Sequence, residues 1–142
     1  MSGEVTREKL IAELNKDLEW EYAAAVQYVQ HAAVMTGPQY DSIIKELVVH
    51  AQEELQHAVT VAEQISFLGG MPSIQMEKAE TSPDSHTMLE QDLAGEDNAI
   101  TRYKDRIRQA EMLGEYGLRR VLEDILMQEE EHKRDLQTAL DL

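Results

Sequence analysis

Residues 50–65 read HAQEELQHAVTVAEQI, and residues 125–140 read ILMQEEEHKRDLQTAL. Each contains Glu-x-x-His, at Glu54–His57 and at Glu129–His132, within a run where apolar residues recur every three or four positions. That spacing places its members on one face of an α-helix. The first stripe runs Ile43, Leu47, His50, Glu54, His57, Val61, Ile65, Leu68, and the second runs Leu118, Leu122, Ile125, Glu129, His132, Leu136, Leu140. A carboxylate inside an apolar stripe is costly unless it meets a counter-charge, hydrogen bonds or a metal ion.

Two further stripes lie upstream of these. One runs Leu14, Leu18, Glu21, Ala25, Tyr28, Ala32, Met35, and the other Leu89, Leu93, Glu96, Ile100, Tyr103, Ile107, Ala110. The breaks between stripes are Gly37-Pro38, the stretch from Gly69-Gly70-Met71-Pro72 to Ser82-Pro83-Asp84, and Gly114 with Gly117. Strong helix formers fill the segments between them, and no period-two alternation points to a sheet. The reading is all-α: four helices at about 6–35, 39–68, 85–112 and 116–140, in one domain spanning 1–142. Thr6 is a candidate N-cap for the first helix, and Ser82, Asp84 or Ser85 for the third. Short turns make helices one and two, and three and four, antiparallel hairpins. The polar stretch at 69–84 is long enough to run the length of a bundle.

The four glutamates follow a repeat. Glu21 to Glu54 and Glu96 to Glu129 are each separated by 33 residues, and a shift of 75 superposes one hairpin on the other. Under that shift Tyr28 maps to Tyr103, His57 to His132, and Leu14, Leu18 and Leu47 to Leu89, Leu93 and Leu122. Hairpins folded at their central turns bring both glutamate pairs to one height, since each arm rises about 1.5 Å per residue. A glutamate from each of two helices and Glu-x-x-His from each of the other two is the ligand pattern of dinuclear carboxylate centres in four-helix bundles. Carboxylate oxygens and imidazole nitrogens suit iron or manganese, and four carboxylates balance two divalent ions. The arrangement expected has Glu54 and Glu129 bridging, Glu21 and His57 on one ion, and Glu96 and His132 on the other.

Composition sets the outer limits. The 142 residues contain 13 Lys+Arg against 28 Asp+Glu, a formal net charge of −15. Like charge disfavours nucleic acid and anionic lipid as partners. With no cysteine, disulfides, thiolate metal sites and cysteine catalysis are excluded. No apolar run approaches a membrane span of about 18 residues, and MSGEVTREKL has no apolar stretch of the kind a secretory leader carries. The expected location is cytoplasmic.

These motifs resemble the ferritin-like di-iron carboxylate superfamily, and bacterioferritin most. They are Glu21 and Tyr28 in EYAAAVQY, Glu54-x-x-His57 in EELQHAVTVAEQISFLGGMP, Glu96 in DLAGEDNA and Glu129-x-x-His132 in ILMQEEEH, which with their stripes span about 14–140. The resemblance implies a ferritin-like four-helix bundle, two iron ions, and oxidation of Fe(II) by oxygen or hydrogen peroxide, for iron storage or detoxification. Bacterioferritin carries a haem-ligating methionine after the first motif's glutamate; here that residue is Leu55, and no haem is expected there. The short fifth helix of cage-forming bacterioferritins has no counterpart before Leu142. Rubrerythrins resemble the pattern too, but carry an extra glutamate where this chain has Ala99. A rubrerythrin-like di-iron peroxidase without storage, and a non-catalytic helical interaction module, are the alternatives.

Tyr28 and Tyr103 read either as core aromatics or as groups that hold a ligand carboxylate and supply an electron; their matched placement favours the second role. Glu53 and Gln128, just before the bridging glutamates, are placed to hydrogen-bond the opposite ligand histidines. His50, whose repeat mate is Ile125, reads as an accessory iron ligand or as a satisfied core histidine. His31 and His86 lie off the stripes and read as surface. Trp20 points about 100° away from Glu21 around the helix and reads as a subunit contact, in a homodimer or higher homo-oligomer.

Overall fold

The computed structural model describes residues 4–142; residues 1–3, the start of both the predicted domain and the N-terminal reading, lie outside it. Four helices make up the described chain: α1 (Arg7–Val34), α2 (Asp41–Phe67), α3 (Ser85–Met112) and α4 (Tyr116–Ala139), with a 3-10 turn at Pro38–Tyr40 before α2. Each boundary falls within two residues of the expectation. Thr6 caps α1 by accepting the Lys9 N–H, and of the three candidates for α3 it is Asp84 that accepts the Thr87 N–H. Helices α2 and α3 end alike. Gly69 and Gly114 take positive φ, the next residue's N–H returns to Ile65 O or Ala110 O, and the glycine's own N–H reaches Ser66 O or Glu111 O. This double bond satisfies carbonyls that a helix end leaves free, and it requires a left-handed residue that glycine supplies without steric cost.

Helix α1 packs on α2 and α3 on α4, and α1–α3 and α2–α4 contacts close the bundle. The crossover at 69–84 runs along α1. Asn15 and Tyr22 donate to Met71 O and Ser73 O, Ser73 donates to Glu19, and Gln27 accepts from the Glu80 N–H. The core has two apolar clusters. One gathers Leu10, Leu14, Leu18, Val61, Ile65 and Leu122; the other gathers Met35, Ile43, Leu47, Leu89, Leu136 and Leu140. Residues related by the 75-residue shift (Leu14 and Leu89, Leu47 and Leu122, Val61 and Leu136) fall in opposite clusters, as a pseudo-two-fold axis across the bundle demands. No helix among the described residues is long and apolar enough to cross a membrane.

Candidate metal centre

Between the two apolar clusters the stripes turn polar. Glu21, Glu54, His57, Glu96, Glu129 and His132 are each at most 4% exposed, and they converge from all four helices. Their donor atoms form two groups, each within 4.8 Å: Glu21, Glu54, His57 and Glu129, and Glu54, Glu96, Glu129 and His132. Glu54 and Glu129 belong to both groups, the position of a shared carboxylate. His57 Nδ1 is 3.1 Å from Glu54 and 3.5 Å from both Glu21 and Glu129, while His132 Nδ1 is 3.2–3.4 Å from Glu129, Glu96 and Glu54.

Seven inward atoms of these six residues are buried without a hydrogen bond among the described residues: Glu21 Oε2, Glu54 Oε1, His57 Nδ1, Glu96 Oε1, both Glu129 oxygens and His132 Nδ1. Buried polar groups are ordinarily paired, so seven such atoms facing one another form a cluster that could hold cations. The donor set, four carboxylates and two imidazoles, fits two divalent ions of the iron and manganese kind.

Protonation reports the same crowding. Burial, then repulsion from Glu129, pushes Glu96 up to about 8. Burial, then repulsion from Glu54, pushes Glu129 up to about 8. Burial would lower His57, but the Glu21 and Glu54 carboxylates outweigh it and raise it to about 11.

Behind the histidines runs one continuous hydrogen-bonded chain. His57 Nε2 meets Gln128 Oε1 at 2.5 Å, Gln128 Nε2 donates to Glu53 Oε2 at 2.6 Å, and Glu53 Oε1 meets His132 Nε2 at 3.0 Å. A carboxylate only accepts, so Gln128 turns its NH₂ to Glu53 and its carbonyl to His57. Both imidazoles therefore carry hydrogen on Nε2, and their Nδ1 atoms are free to ligate once neutral. Gln128 and Glu53 hold the opposite histidines, as their positions just before Glu129 and Glu54 predict.

The tyrosines cross over as well. The Tyr28 hydroxyl donates to Glu96, and the Tyr103 hydroxyl donates to Glu21 Oε1 at 2.7 Å. Each thus steadies the carboxylate of the opposite hairpin. Burial, then the adjacent carboxylate, raises both phenols well above their ordinary value, so they stay protonated as donors.

Two buried polar contacts flank the centre, an Asp17–arginine ion pair and a His31–Asp92 contact, and the sequence reading did not find them. Arg106 Nε donates to Asp17 at 2.7 Å and Arg102 at 2.8 Å. His31 Nδ1 is 2.9 Å from Asp92, and Gln27 donates to the same carboxylate. His31 is 0% exposed, so its surface assignment is corrected: Asp92 and the Glu80 carbonyl, from α3 and the crossover, enclose it. The signal was present in the repeat, since the same shift carries Asp17 to Asp92, Gln27 to Arg102 and His31 to Arg106. His86 is exposed as expected.

His50 is buried, with its ring stacked 4.0 Å from that of His132. Burial, then His132, lowers it to about 4, so it is neutral at neutral pH. A cavity of about 340 Å³ on the α1/α3 side reaches Glu21, Glu54, Glu96 and Glu129. Trp20 and Arg102 line it, the guanidinium 5.7 Å from the indole centroid. Leu55, in the place of the haem-ligating methionine, is 55% exposed on α2.

A family model described as a ferritin-like domain matches residues 11–142. The bacterioferritin of Brucella melitensis is 32% identical over 135 residues, 94% of this chain and 84% of that protein. A ferritin-like, diiron-carboxylate protein from Bacillus anthracis superposes with a TM-score of 0.91 at 32% identity, covering 94% of this chain and 96% of the other. A dodecameric thioferritin, the bacterioferritin-related protein of Bacteroides fragilis, does so at 0.90 and 31%, covering 96% and 87%. The helical bundle, its repeat and these matches agree: the chain belongs to the ferritin-like family.

Proposed function

We propose that the chain is a ferroxidase that oxidises Fe(II) to Fe(III) at the centre formed by Glu21, Glu54, His57, Glu96, Glu129 and His132. The observation that carries this reading is the set of seven converging buried donor atoms with no hydrogen-bond partner among the described residues. Two Fe(II) substrates each give one electron, and the two electrons with two protons reduce hydrogen peroxide to water, or oxygen to hydrogen peroxide. Glu54 and Glu129 hold both ions, and the terminal carboxylates are kept in place by Tyr103 and Tyr28. The neutral Nδ1 atoms of His57 and His132 complete the set, their tautomers fixed from behind by Gln128 and Glu53. The remaining acids of this strongly acidic chain draw Fe(II) toward it.

Assembly belongs to the same reading. Val48, Leu55 and Val59 recur on one exposed face of α2, and Val26 and Val29 are exposed on α1. An apolar face of this kind is covered in a homo-oligomer, and the similar Bacteroides protein is a dodecamer. A cytoplasmic location and use of the iron for storage or detoxification complete the proposal.

Aerobic addition of Fe(II) tests it. The wild type develops ferric absorbance rapidly, and Glu54→Ala and Glu129→Ala lose it; equal oxidation in both variants overturns the proposal. Repeating the measurement with peroxide in place of oxygen separates a storage ferroxidase from a peroxide-scavenging enzyme, which oxidises Fe(II) with peroxide alone.

A further inference from the structure

The cleft between α1 and α3 carries groups that the metal centre does not use. Its walls are small: Ala24, Gly95 and Ala99 line it beside Trp20. Its volume, about 340 Å³, lies in the range of small-molecule sites, about 300–1,000 Å³. Three polar atoms of lining residues are buried without a hydrogen bond among the described residues: Asp92 Oδ2, Gln91 Oε1 and Arg102 Nε. None belongs to the six residues of the centre. Buried polar atoms are costly when unpaired.

The repeat shows that the free acceptor is particular to one side. Asp17, the mate of Asp92, uses both oxygens: Oδ1 accepts from Arg102 and Arg106, and Oδ2 accepts from Arg106 Nε. The mates of those two arginines are Gln27 and His31, and both meet Asp92 at Oδ1. Asp92 is 2% exposed, yet its Oδ2 keeps no partner among the described residues. Trp20 has Gly95 as its mate, so an indole stands on one side of the pseudo-two-fold and bare backbone on the other. A Cβ added at Gly95 would meet nothing within 4 Å. An aromatic ring, small apolar neighbours and a free buried acceptor thus share one cleft.

We propose that this cleft binds a neutral, phenol-sized aromatic molecule, its hydroxyl bonded to Asp92 Oδ2 and its ring against the Trp20 indole. A flat ring suits a slot walled by alanine and glycine, and aromatic rings attract one another in offset-stacked or edge-on contact. A hydroxyl both donates and accepts, so it matches Asp92 Oδ2 and Gln91 Oε1 as a donor and Arg102 Nε as an acceptor. The cleft also reaches Glu21, Glu54, Glu96 and Glu129, whose charge disfavours an anionic ligand. An occupant covers the carboxylates from the α1/α3 side. The site stands on the cleft's own walls and not on the ferroxidase reading.

The probe is para-bromophenol, and Trp20, the only tryptophan in the chain, is the reporter. Added to the full chain free of metal, the probe is expected to quench Trp20 emission to a saturating limit, because its bromine is held beside the indole. Gly95→Leu, which fills the cleft from a position with open space, is expected to lose the saturable quenching. Bromobenzene, which lacks the hydroxyl, is expected to quench more weakly. Crystals of the wild type soaked in para-bromophenol are expected to show an anomalous bromine peak in the cleft, and they decide the question if Gly95→Leu does not fold. Quenching that rises without saturating, saturation unchanged in folded Gly95→Leu, or bromine found only outside the cleft overturns the site. Equal quenching by bromobenzene overturns the role of the hydroxyl and with it the phenol class. Every arm runs without metal, so a failure of Fe(II) oxidation leaves this site standing.

Discussion

Glu53 Oε1 lies 3.0 Å from Nε2 of His132, whereas the repeat-related place behind His57 is taken by the amide of Gln128. The two halves of an otherwise matched centre thus differ in what backs their histidines. A carboxylate behind an imidazole raises its basicity as a ligand more than an amide does. Glu53→Gln is therefore expected to weaken one of the two central ions about 10- to 100-fold and leave the other nearly unchanged. Titration with Co(II), followed by its visible absorbance, resolves the two steps. Equal weakening of both ions contradicts the argument.

Metal uptake is expected to release protons. Glu96 and Glu129, raised to about 8, and His57, raised to about 11, hold protons at pH 7 without metal. Ligation requires the deprotonated forms, so affinity rises with pH between 6 and 8. Stability of the metal-free chain runs the other way. All three groups have folded values above their ordinary ones of 4.5 and 6.5. The fold binds the extra protons, and stability falls as pH rises from about 4.5 through 8 for the acids and from 6.5 through 11 for His57. Thermal unfolding should give a lower Tm at pH 8 than at pH 6 without metal, and excess Zn(II) should remove the difference. A metal-free Tm that rises over this range is the opposing result.

The Asp17–Arg106 pair offers a test of the scaffold. Asp17 is 0% exposed and Arg106 4% exposed. Removing one partner of a buried pair costs about 3–5 kcal/mol, because a buried charge is left uncompensated. Arg106→Ala is expected near 3 kcal/mol, since Arg102 still donates to Asp17. Urea unfolding of the metal-free chain measures it, and a loss under 1 kcal/mol would show that Arg102 alone suffices.

Gly95 works in the opposite direction. It lies inside α3, and an added Cβ would meet nothing within 4 Å. Glycine in a helix interior costs about 0.5–1 kcal/mol relative to alanine. Gly95→Ala is expected to raise unfolding free energy by that amount, read from the urea midpoint at unchanged slope. A destabilised variant would mean that the open space beside Gly95 is filled in solution.

The helices and the six converging residues were legible because two independent patterns agree on them. Apolar residues at steps of three and four set the helix faces, and the 75-residue shift lines up a glutamate in every stripe. Glu53 and Gln128 were legible for the same reason, as neighbours of the repeated Glu54 and Glu129. His31 was not. It lies off the α1 stripe, and what buries it is Asp92 on α3 and a carbonyl of the crossover, partners that no local pattern reveals. Asp17 and Arg106 escaped because charged residues on a helix are solvated unless another element covers them. Here the repeat carried the hint, since it superposes Asp17 on Asp92. The crossover's length was readable from its proline and glycine boundaries, but its pinning to Asn15, Glu19, Tyr22 and Gln27 depends on side chains of α1.

The central claim is that the four stripes build one centre for two Fe(II) ions. Stepwise addition of Fe(II) to the metal-free chain under air, with the fast ferric absorbance recorded at each step, tests it most directly. The account predicts a fast phase that saturates at two Fe(II) per chain and vanishes in Glu54→Ala/Glu129→Ala. A fast phase without a break at two, or one that survives in that variant, contradicts it.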